Sequence, residues 1–82
     1  MEKAIHITDV QRSLDTAKIW KQKVDIGYWK MENAEIIWLR GWVVIGSHWR
    51  GGTHNLCNPV NGQKRTIRDI NIFSYNNRTV YV

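Results

Sequence analysis

Glu35-Ile36-Ile37-Trp38-Leu39-Arg40-Gly41-Trp42-Val43-Val44-Ile45-Gly46-Ser47-His48-Trp49 is a long run of period two, and its reading decides the fold. Ile37, Leu39, Val43, Ile45 and Trp49 share one parity; Trp38, Arg40, Trp42, Val44 and His48 share the other. Gly41 interrupts the run and marks a candidate bulge, which would turn every later residue to the opposite face. Without a bulge, Trp38 and Trp42 lie together opposite the core.

The preceding segment has the same period. Trp20, Val24, Ile26 and Tyr28 lie on one side, and Lys21, Lys23, Asp25 and Trp29 on the other. Glu32-Asn33 forms the connecting turn, so the two runs make a hairpin. Its outer side then carries Trp29, Trp38 and Trp42 among Lys21, Lys23 and Arg40.

Upstream of the hairpin, residues 3–7 read as a short strand with Ile5 and Ile7 on one face. Thr8 followed by Gln11 matches a capping box, and Asp9 suits the positive end of a helix dipole. Val10, Leu14 and Ala17 then share one helical face, which predicts a helix over about 9–17. Downstream, 53–58 is a short strand and Asn58-Pro59-Val60-Asn61-Gly62 a turn. The next strand covers 64–75, with an irregularity expected near Arg68-Asp69, where the apolar parity changes. Asn76-Asn77 makes a tight turn into 78–82.

These elements, with strands at about 18–31 and 35–49, predict a mainly β protein. It is a small antiparallel sheet, strongly curved or a partly open barrel, of about five strands with one short amino-terminal helix. Eighty-two residues suffice for one domain with a small core, in which large side chains must be concentrated. Each of the five tryptophans is therefore also a candidate for core or interface. The single cysteine, Cys57, excludes an internal disulfide and fits a reducing compartment. The residues from Met1 to His6 lack a signal-peptide layout, and no apolar run reaches membrane-spanning length. A cytoplasmic protein with no membrane partner is the expectation.

Motifs for chemistry are sparse. Gly41 to Ser47 has the spacing of a phosphate-binding loop but lacks its lysine. His54 and Cys57, three apart on a strand, point to opposite faces, so no thiolate–imidazole pair forms. A zinc site from His48, His54 and Cys57 would need Asp69 as its fourth ligand and lacks tight ligand pairs. A salt bridge from Asp69 to Arg65 or Arg40 is the plainer expectation. Asn77-Arg78-Thr79 is a glycosylation sequon without a secretory context. Neither a catalytic residue, a metal site, a cofactor nor a small-molecule substrate is identified, and the protein is read as non-enzymatic.

Twelve basic and seven acidic residues leave a formal charge of +5, which favours polyanions or acidic surfaces. Indoles on a strand stack on unpaired bases while nearby cations meet phosphates. Trp29, Trp38, Trp42, Lys21, Lys23, Arg40 and His48 are the candidate nucleic-acid face, extended by Arg50, Lys64, Arg65 and Arg68. Single-stranded nucleic acid is the preferred partner. The alternative is a structural or assembly role in which the tryptophan face meets another protein or a second copy of the chain. Sugar binding is a third reading, disfavoured by the basic excess and the scarcity of carboxylates beside the tryptophans.

Three stretches, Asp25-Ile26-Gly27-Tyr28-Trp29-Lys30, Gly62-Gln63-Lys64-Arg65-Thr66-Ile67-Arg68 and Ile72-Phe73-Ser74-Tyr75-Asn76-Asn77-Arg78-Thr79-Val80, resemble short uncharacterised proteins of gut bacterial phages and mobile elements. The resemblance covers about the last two-thirds of the chain. It implies a small accessory protein of an element that handles DNA, and it carries over no catalytic or binding residue.

Overall fold

A computed structural model describes residues 4–30, 33–48, 50 and 52–82. A short strand β1 (Ala4–His6) runs directly into α1 (Ile7–Trp20). The helix starts two residues earlier than the capping-box pattern predicts, because His6 and not Thr8 is the cap. The His6 Nδ1 accepts from the Thr8 backbone N–H at 3.1 Å. Gln11 turns instead towards Asp69, where its Nε2 donates at 3.2 Å. Val10, Leu14 and Ala17 form the buried stripe. The helix continues to Trp20 and stops at Lys21, whose φ of 55° is left-handed and whose N–H bonds Ala17 O. The strand expected from about residue 18 therefore begins only at Lys23.

The remaining strands are β2 (Lys23–Lys30), β3 (Glu35–His48), β4 (Thr53–Cys57), β5 (Lys64–Arg68), β6 (Ile72–Tyr75) and β7 (Arg78–Tyr81). Two strands result where one was expected over 64–75, because a short 3₁₀ turn, Asp69–Asn71, replaces the bulge. One seven-stranded sheet runs in the order β1-β7-β6-β2-β3-β4-β5. It is open, neither closed nor strongly curled, which corrects both the five-strand count and the barrel. All pairings are antiparallel except β1 with β7. Asn76 and Asn77 both take positive φ, as a two-residue hairpin turn with right-handed strand twist requires. Lys3, Met31 and Trp49, which the strand expectations include, Glu32 of the expected turn, and Gly51 lie outside the described residues.

One face of the sheet packs on α1. It contributes Val24, Ile26, Tyr28, Leu39, Trp42, Val44, Leu56, Ile67, Ile72 and Tyr75 to a core completed by Ile5, Val10, Leu14 and Ala17. The Ser13 and Tyr75 hydroxyls, 2.6 Å apart, tie the helix to β6.

The register of β3 is broken twice. Val24 pairs Trp42 and Ile26 pairs Leu39, so Asp25 alone faces both Arg40 and Gly41. Gly41 takes φ +68°, and its N–H donates to Asp25 Oδ1 at 2.7 Å. The bulge turns Trp42 and Val44 into the core. Ile45 forms a second irregularity between Val44 and Gly46, and is half-exposed. A Cβ added at Gly41 meets nothing within 4 Å, so only the backbone conformation opposes it. Gly41→Ala is therefore expected to cost about 1–2 kcal/mol, measured by chemical denaturation, with the fold retained.

Candidate nucleic-acid interface

Among the described residues no helix covers the sheet face opposite α1. Trp38 lies across the strand from Gly27, and Ile36 across from Trp29. The chain offers this site at Gly27 because the absent side chain leaves room for an indole. A Cβ there would approach Trp38 Cζ3 to 2.7 Å and Phe73 Cζ to 3.0 Å. Phe73 reaches this face through a register shift in β6, which leaves its neighbours Ile72 and Tyr75 both in the core. Its ring meets Trp29 at 5.7 Å and Trp38 edge-on at 5.3 Å. The Arg40 guanidinium lies 5.1 Å from the Trp38 ring centroid. Trp29 remains 43% exposed and Trp38 49%.

Trp42 is only 6% exposed and belongs to the core, so it is removed from the expected face. Lys21 caps α1 and Lys23 opens β2; both are exposed. Lys23 is six residues before Trp29 on the same strand, about 20 Å away at ~3.3 Å per residue. These two lysines do not join the aromatic cluster. His48 and Arg50 are exposed at and beyond the far end of β3. Phe73 and Gly27 are the members of the cluster that reading by parity missed. Glycine between two large residues at the centre of a strand was the available signal.

A cleft of about 410 Å³ lies beside Trp29, lined by Tyr28, Lys30, Lys64, Arg65, Arg68 and Asn71 among others. Lys64, Arg65 and Arg68 thus line one cleft, together with Lys30, which the sequence pattern had not singled out. Among the described residues no carboxylate pairs with any of the four cations. The Arg65 Nε is buried with no hydrogen-bond partner.

A second polar cluster stands on the helix-covered side. His54 is buried, its Nδ1 2.6 Å from Asp69 Oδ1 and its Nε2 2.9 Å from Asp15 Oδ1. The expected bridge from Asp69 to Arg65 or Arg40 is thus replaced by one to His54. Ser47, the cross-strand neighbour of His54, lines the same small cavity with Gln11 and Gly52. With a carboxylate against each ring nitrogen, neither nitrogen is open to a substrate proton in this arrangement. The two carboxylates lie on opposite ring edges, and among the described residues no group of three acidic, histidine or cysteine side chains is placed to hold a metal ion. Cys57 is on the other face, its Sγ 3.6 Å from Asn58 O.

No protein-family model matches the chain, and no curated protein or solved structure shows significant similarity to it.

Burial disfavours the charged imidazolium of His54, but the hydrogen bonds and charges of Asp69 and Asp15 outweigh it and raise the pKa above 6.5. A raised folded-state pKa gives stability fully present below the unfolded value and lost as pH climbs through the folded one. Unfolding free energy is therefore expected to decline as pH rises from about 6.5, followed by denaturant titration at several pH values. Asp15→Asn, at an exposed position, should move that decline to lower pH. An unchanged profile would show that Asp15 does not hold the proton on His54.

Proposed function

We propose that this is a non-enzymatic protein that binds single-stranded nucleic acid on the open sheet face, stacking bases on Trp29 and Trp38. One observation carries the reading: two half-exposed indoles and a phenyl ring form a contiguous cluster on the uncovered face, with Arg40 over one indole. Large aromatics exposed together favour a partner with flat apolar surface. Unpaired bases supply that surface, and the cationic cleft beside Trp29 and the charge of +5 favour a polyanion. A rigid strand holds the rings ready, so little ordering cost is added on binding.

The second reading, a structural or assembly protein of a phage or mobile element, is favoured by Ile36. This residue is 43% exposed, lies across from Trp29, and enlarges the apolar patch without aiding base stacking. Under that reading the same face meets another protein or its own copy. The two differ in response to salt and to protein concentration.

Tryptophan fluorescence titrated with an oligothymidylate at low and high salt tests the proposal. Quenching that weakens at high salt is expected. Trp38→Ala should retain the fold and weaken binding roughly 5- to 150-fold, from the ~1–3 kcal/mol of one base stack. Trp42→Ala should instead cost about 3–5 kcal/mol of stability, because it empties a core position. Sedimentation showing association that depends on protein concentration, with no response to the oligonucleotide, would select the assembly role.

A further inference from the structure

We infer that the cleft between the end of β2 and β5 is the phosphate subsite for the strand whose bases lie on Trp29 and Trp38. This inference rests on the nucleic-acid reading above. Three observations support it.

The first is charge. Lys30, Lys64, Arg65 and Arg68 line one cleft, and among the described residues no carboxylate lines it. Four cations lining one cleft repel one another, and an anion bound among them would offset that repulsion. The Arg65 Nε is buried without a hydrogen-bond partner, and among the described residues no carboxylate pairs with this guanidinium.

The second is the strand edge. β5 is the last strand of the sheet, paired only to β4. Its outward backbone N–H groups are therefore without a strand partner and are donors suited to phosphate oxygens. Asn71 lines the same cleft. Thr66 donates its hydroxyl to Asn55 Oδ1 at 2.6 Å, which fixes one side chain of the wall.

The third is continuity. Trp29 both lines the cleft and touches Phe73, and Phe73 touches Trp38. A phosphodiester held in the cleft thus leaves its adjoining bases beside Trp29, with the next ring in line. An acidic peptide adding a strand to β5 would match the charges. It would not account for a row of aromatic rings leading away from the cleft.

Lys64 and Arg68 are exposed on β5, so Lys64→Gln with Arg68→Gln leaves the core intact; Arg65→Gln is a separate variant. Affinity for an oligothymidylate is measured across a salt series by tryptophan quenching. If both side chains meet phosphates, the slope of log K against log salt should become shallower by roughly 1.4 in the double variant. Quenching at saturation should stay as in the wild type. Trp38→Ala should give the converse, reduced quenching with the slope kept. A wild type that binds while both cleft variants keep its slope overturns the subsite and leaves the function standing. A wild type indifferent to the oligonucleotide overturns both; a response to polyglutamate instead would assign the cleft to an acidic peptide.

Discussion

The hydrogen bond from the Gly41 N–H to the Asp25 carboxylate, at 2.7 Å, governs what each side of the sheet presents. It closes a bulge in which one residue of β2 opposes two of β3. Strand residues alternate faces, so a single inserted residue reverses the assignment of everything after it. Trp38 precedes the bulge and lies on the open face; Trp42 follows it and lies in the core. Asp25 is held from its other side as well. Its N–H donates to Asn76 Oδ1 at 2.9 Å, and its carbonyl accepts from the Asn76 N–H at 2.8 Å. One residue thus joins the bulge to the β6–β7 turn, fixing three strands in register.

That constraint explains which parts of the fold were legible in the sequence. Period two over β2 and β3 was clear, as was the apolar face of α1, because both rest on local repetition. Gly41 was recognisable as a place where the alternation could break. Whether it breaks depends on Asp25, which is 16 residues away and carries no local signature. The cap of α1 was misplaced for a similar reason. Thr8 and Gln11 fit a capping box, but His6 supplies a closer acceptor and Asp69 draws Gln11 elsewhere. Strand number failed in two places: β1 joins the sheet beside β7, and a three-residue 3₁₀ turn replaces a bulge, which changes the apolar parity in the same way.

The polar clusters divide along the same lines. Basic residues of 64–68 were visible as a charged run, and a run on an edge strand stays accessible whatever the long-range pairing. The His54 cluster was invisible because its members come from α1, β4 and the 3₁₀ turn. Its position suggests why it is there. Residues 69–71 carry the chain from the edge strand β5 to β6 near the middle of the sheet, and a buried Asp69 carboxyl needs a hydrogen-bond partner. His54 supplies it, while Asp15 and Gln11 extend the network to the helix. The Asp69 N–H to Gly52 O bond, 2.8 Å long, secures the same crossing from the backbone.

The division of labour between the two faces bears on function more than any single side chain does. One helix can cover only part of a seven-stranded sheet, and here all the covering is on one side. A chain this small could have placed polar residues on the other side and remained well behaved. Instead it keeps Gly27 bare so that the Trp38 ring can occupy the space above it, with Phe73 set edge-on to Trp38 and in turn against Trp29. Glycine inside a strand lowers stability by roughly 0.5–1 kcal/mol relative to alanine. The arrangement therefore costs stability to hold an aromatic surface in place, and a surface held at that cost is better explained by what it meets than by the core beneath it.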